Sequence, residues 1–176
     1  MRIVMSLLSS WFPLVGVERV LRWLLLCLCC LIVGLTPLTA WAEKYDKRVL
    51  VGADFSGQDL RTSQFNKTVL REAKFINANL KGVSLFGADL TDADLTGANL
   101  TNATIDTARL TRANLTNAIL EGAFAYGVNF NGAIIDGADF TDVDLREAVR
   151  AQLCQVAKGT NPVTGRSTRA TLLCDS

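Results

Sequence analysis

Histidine is absent from the 176 residues. Its absence removes imidazole general acid–base catalysis, Ser–His and Cys–His nucleophiles, and every histidine metal site. Neither sign of charge dominates. Eighteen Lys and Arg oppose 17 Asp and Glu, net +1, so no whole-chain basic field attracts nucleic acid. No Gly-rich loop precedes a helix in the way a phosphate cradle requires, and no three acidic residues stand at metal-ligand spacing. Long apolar runs are also scarce. The run Trp23 to Leu35 has 13 residues, whereas a spanning helix needs roughly 20. Apolar residues still make up 49% of the chain, which argues against disorder. An architecture and an address are legible here, but no biochemical activity is.

The address comes first. Arg2, Arg19 and Arg22 precede the apolar run, Pro37 breaks it, and Ala40-Trp41-Ala42 leads into Glu43-Lys44. A basic region, a short apolar region and small residues at −3 and −1 are the order of a secretory signal. Residues 1–42 are therefore expected to be a signal peptide cut after Ala42, with Ala40 and Ala42 as the cleavage-site residues. The competing reading is an uncleaved anchor from Trp23 to Ala42, the one membrane attachment open to the chain. Cleavage removes Cys27, Cys29 and Cys30 and leaves Cys154 and Cys174. One pair in an exported chain is most simply a disulfide.

Beyond a short tail, 43–47, the body repeats every five residues. From Leu50 through Leu90, Leu95 and Leu100 to Leu145, 19 of 20 fifth residues are large and apolar; Ala125 is the exception. Two residues before each stands a second series in which 18 of 20 are Ala, Val, Ser or Thr, with Arg48 and Gln58 breaking it. Two residues after each stands a third series that holds all nine glycines of the region, along with Asn77, Asp92, Asn102, Asn117 and Asp142. A helix turns about 100° per residue, so positions five apart would wander around its cylinder. In a straight strand they would fall on opposite faces. The pattern works only if the chain bends once per five residues, and Gly, Asn and Asp tolerate bends. The chain then winds as a solenoid, with the large and small series inside.

Runs such as Ala88-Asp89-Leu90-Thr91-Asp92, Ala93-Asp94-Leu95-Thr96-Gly97 and Ala98-Asn99-Leu100-Thr101-Asn102 resemble the pentapeptide-repeat family. The resemblance covers residues 48–147. It implies an all-β fold, a right-handed quadrilateral β-helix with four repeats per coil and about five coils. Residues 20 apart would then stack, as in the column Leu60, Leu80, Leu100, Leu120 and Phe140.

Function must lie on the exterior. The repeat region carries nine basic and 13 acidic residues, net −4. Stacking would pair Asp89 with Arg109 and Asp92 with Arg112, a surface charge balance of small worth, and would stack the amides of Asn79 and Asn99. Phe86, Ile119, Phe124, Tyr126 and Ile134 are expected to point outward as a partner-binding patch. The plainer alternative is that Ala125 under-fills the core and Phe124 or Tyr126 turns to cover the gap.

Residues 148–176 are expected to close the last coil as a small helical cap. Val149, Leu153, Val156 and Ala157 share one side of a first helix that Lys158 and Gly159 stop, and Ser167 caps a second through Leu173. A Cys154–Cys174 disulfide would tie the two. The tail from Cys154-Gln155-Val156-Ala157 through Gly159–Gly165 to Cys174 resembles lumenal pentapeptide-repeat proteins of cyanobacteria and chloroplasts. The expectation is thus an exported, non-enzymatic protein of the thylakoid lumen or periplasm that needs no cofactor or metal. It would bind or scaffold an unknown protein partner, such as a thylakoid membrane complex. Two rivals remain open: redox regulation through Cys154 and Cys174 by a thioredoxin-like reductase, and an acidic DNA mimic that inhibits type II topoisomerase. Nucleic acid itself is not an expected partner.

Overall fold

Turn residues at a fixed phase shape the backbone. A computed structural model describes residues 43–174. The expected signal segment, including Ala40 and Ala42, lies outside the described residues. Between positions 52 and 142, 18 of the 19 residues two past each large one have φ between 54° and 74°; Thr62 is the exception. Glycine fills half of these sites, and Asn and Asp tolerate them. Lys67, Glu72, Thr107 and Arg112 adopt the same left-handed conformation. Coil-to-coil pairing holds them there: Lys67 N–H donates to Phe86 O at 2.8 Å and Thr107 N–H to Tyr126 O at 2.9 Å. Each turn is closed locally as well, as where Ala98 N–H donates to Leu95 O at 3.0 Å.

The short extended pieces between turns pair with the next coil. Parallel bridges join residues 20 apart without a break, from Lys44 with Gln64 to Phe124 with Asp144. Four repeats and four turns therefore complete one circuit. Leu90 N–H donates to Arg109 O at 2.8 Å and Asp89 N–H to Thr68 O at 2.9 Å, so each rung binds the rungs on both sides.

The large series fills the interior, buried from Phe55 to Leu145, and the small series lies buried beside it from Ser63 to Val143. Alternation of size lets both series fit at interior packing density. The first coils are filled by aromatic rings. Phe55 stacks on Phe75 at 5.0 Å, and Tyr45 stacks on Phe65 at 4.7 Å. Residues 43–47, expected as a tail, thus carry the same pattern one repeat earlier. Lys44 pairs with Gln64, and Tyr45 takes the place of a large inner residue. Burial, aided by a hydrogen bond with Glu43, pushes the Tyr45 hydroxyl up to about 12.

The C-terminal segment packs on the last coil. Helix α1 spans Glu147–Cys154 and helix α2 spans Thr168–Thr171. Cys154 and Cys174 are joined, with Cα atoms 5.4 Å apart. Several details depart from expectation. Helix α1 stops at Cys154, ahead of Lys158 and Gly159, and Val156 is exposed while Leu153 and Ala157 are buried. Ser167 occupies the N-cap position of α2 without a side-chain capping bond. Gly159 (φ 82°) serves a close approach: a Cβ there would lie 2.8 Å from Gly137 N. That contact admits the bond from Gly137 N–H to Lys158 O at 2.8 Å.

Two polar side chains fix the loop between the helices. Asn161 is fully buried and its amide N–H groups donate to Asn117 O, Ala118 O and Gly137 O at 3.1, 3.3 and 2.9 Å. Its oxygen accepts from Val163 N–H at 2.9 Å and Thr164 N–H at 3.1 Å. Arg166 binds the buried Asp139 carboxylate through Nε at 2.8 Å and pairs with Glu121 through Nη2.

Candidate interaction surface

With four repeats per circuit, residues five apart lie on neighbouring sides of the coil and residues ten apart on opposite sides. Phe124 projects from one side, and Tyr126 stands at the corner that follows it; both are 56% exposed. Phe86 shares the corner of Tyr126, two coils away, and is exposed. Two coil spacings amount to about 10 Å. Ile119 lies on the adjoining side and is only half-buried. Ile134 is exposed on the side opposite Phe124. The five residues expected as one patch therefore divide. Phe86, Phe124 and Tyr126 belong together, Ile119 borders them, and Ile134 stands apart. Their spacing of ten already carries this separation.

Ala125 is buried at 2% exposure, yet neither neighbour turns inward to cover it. The alternative in which Phe124 or Tyr126 fills the core is thus not what the chain does. Tyr126 is instead set from outside. Its N–H donates to Asp106 Oδ1 at 2.7 Å, and the guanidinium of Arg146 lies 4.4 Å from its ring centroid. Arg146 is 20 residues beyond Tyr126, one coil up, so the stacking distance was the signal that could have found it. Two rings and a guanidinium give this corner the composition on which protein interfaces concentrate their energy.

The remaining exterior is organised by its own contacts. Arg112 clamps Asp92 with bonds of 2.7 and 2.6 Å, and Arg109 reaches Asp89 at 3.3 Å, as stacking requires. Arg71, which the spacing did not single out, also binds Asp89 at 2.7 Å. Burial raises the Asp89 carboxyl, but bonds from Thr91 and Arg71 outweigh it and hold the group below its ordinary value. Asn79 and Asn99, expected as a stacked amide pair, turn their oxygens onto Lys81 N–H and Thr101 N–H two residues on. These are Asx turns. Among the described residues no group of three or more His, Cys, Asp and Glu side chains is arranged to hold a metal ion.

Comparison with known proteins gives a consistent picture. The model of pentapeptide repeats matches residues 49–85, 63–102 and 108–146. A crystal structure of a pentapeptide repeat protein from the Arabidopsis thaliana thylakoid lumen is similar, with 50% identity and a TM-score of 0.71. The match covers 73% of this chain and 90% of that one. Thylakoid lumenal 15 kDa protein 1 of the Arabidopsis thaliana chloroplast is 60% identical over 37 residues. That match covers 21% of this chain and only 16% of the length of that protein. HetL of Nostoc sp. strain PCC 7120, a pentapeptide repeat protein involved in heterocyst differentiation regulation, shows 34% identity and a TM-score of 0.45. There 58% of this chain and 54% of that one are covered.

Proposed function

The chain belongs to the pentapeptide-repeat family, whose solved relatives imply a right-handed quadrilateral β-helix, and from that premise we propose an exported, non-enzymatic protein-binding or scaffold factor. The shaft has about five coils closed by the helical cap, and it works in a thylakoid lumen. Relationship to lumenal proteins supports the address. No enzymatic role is indicated by these relatives. The interior is occupied by the chain's own side chains, so recognition falls to the outside.

One observation carries the binding role: Phe124 and Tyr126 stand side by side, each 56% exposed, with Arg146 over the Tyr126 ring. An exposed aromatic pair of this kind is a hot-spot arrangement for a protein partner. The test is a pull-down from isolated lumen with the wild-type chain and the Phe124→Ser/Tyr126→Ser variant. The reading expects a partner retained by the first and lost by the second. Equal recovery discards it.

A second reading is favoured by the position of the Cys154–Cys174 bond beyond the last coil, in the helical segment, with both cysteines half-buried. A dithiol of the thioredoxin class would reduce it, two electrons passing to the bond and leaving the donor as a disulfide. Asn161 and Arg166 hold the preceding loop by other means. Reduction would therefore loosen the last turn and spare the coils. A reduction potential below about −300 mV, resistant to such donors, removes this reading.

A further inference from the structure

The last coil, α1 and α2 border an open cleft of about 400 Å³ that the aromatic corner does not use. Phe140, Val143, Leu145 and Leu172 form an apolar floor, and Thr141, Ser167 and Thr171 add hydroxyl side chains to the wall. Its volume lies in the range of small-molecule sites. Charge enters at three places. Arg166 lines the cleft, but Glu121 and Asp139 already hold its guanidinium. Asp142 also lines it and is exposed, so open water screens its carboxylate. Arg150 of α1 is different. It is half-buried, and among the described residues it makes no ion pair.

A guanidinium without an ion-pair partner meets an incoming carboxylate with charge-assisted hydrogen bonds. The neighbouring wall is mainly hydrocarbon, with the hydroxyl side chains of Thr141, Ser167 and Thr171 also lining it. We propose that this cleft binds a small amphiphile, an apolar chain ending in a carboxylate, with the chain against Phe140, Val143, Leu145 and Leu172 and the carboxylate on Arg150. The site is separate from the proposed protein-binding corner and stands or falls without it.

Titration of the full chain with octanoate, octanol and octylamine, followed by backbone amide shifts, tests the site. Octanoate should give saturable shifts confined to 140–145, Arg150 and 166–173. Octanol should bind about tenfold more weakly or worse, the loss expected when a charged hydrogen bond is missing. Octylamine should bind no better than octanol. Arg150→Gln should lower octanoate to the octanol level, and Ala170→Leu, at an exposed position on the cleft wall, should weaken all three. Absence of saturable shifts, or equal binding of octanoate and octanol by the wild-type chain, overturns the proposal. That comparison needs no variant to fold.

Discussion

The side-chain oxygen of Asn77 occupies the space that a Cβ on Gly97, one coil above, would need. The same relation joins Asn102 to Gly122 and Asn117 to Gly137. An amide at the left-handed corner of one coil therefore leans into the space left by glycine at the corner of the next, and a Cβ there would have to push it aside. This vertical rule acts on top of the local demand for positive φ.

Replacing Gly97 separates the two demands. Gly82 has φ 71° and nothing within 4 Å of a built Cβ, so Gly82→Ala meets only the backbone cost, about 1 kcal/mol. Gly97→Ala, at φ 66°, meets the Asn77 oxygen as well. Thermal or denaturant unfolding should show the second variant losing more than the first. The excess should vanish in an Asn77→Gly background; a persistent excess would mean the oxygen is not the cause.

Ala98 is fully buried among large neighbours. Ala98→Leu should overpack the middle of the shaft and destabilise it by about 1–3 kcal/mol. An unchanged melting temperature would contradict the inward assignment of the small series.

Asn161→Ala should cost about 3 kcal/mol, because it strips partners from the carbonyls of Asn117, Ala118 and Gly137. Amide exchange is the sharper readout. Protection of Gly137 N–H, bonded to Lys158 O, should fall while that of the first coils stays. Uniform loss of protection along the chain would show that the loop is not a separable element.

The Asp139 carboxyl supplies a pH dependence. Burial raises it, but bonds from Thr141 and Thr164 and the Arg166 charge outweigh burial and leave it below the ordinary value. A group lowered in the folded state binds more protons when unfolded. Its contribution is present above the unfolded value of about 3.9 and is lost as pH falls through the folded one. Melting temperature should thus drop below about pH 4. Asp89 and Asp92, lowered likewise, add to the same sign. Asp139→Asn should reduce the acid slope without removing it, and an unaltered slope would show that Asp139 is not a contributor.

How far the sequence reaches depends on what each feature needs. Leu90, Leu95 and Leu100 need only the period of five, and they are buried. Tyr45 escapes notice because its repeat, Glu43-Lys44-Tyr45-Asp46-Lys47, puts a carboxylate at the small position and charge around it. Its ring is apolar enough to stack on Phe65 all the same. Asn161 is unreadable for another reason. Its partners are backbone carbonyls, which every residue has, so no side chain signals the contact. Arg146 over Tyr126 lies between: the pairing follows from a circuit of 20 residues, a number that the period alone does not contain.

Because every rung is indexed to the one 20 residues on, the shaft behaves like a screw with four stops per revolution. Excising one whole revolution would shorten it and leave each surviving side chain on its compass bearing. Excising a single repeat below Phe124 would swing that ring and Tyr126 by a quarter of a revolution relative to Val49 and Asp54 near the start. Insertions and deletions in such a chain are therefore rotations, and the bearing of its aromatic corner is set by counting.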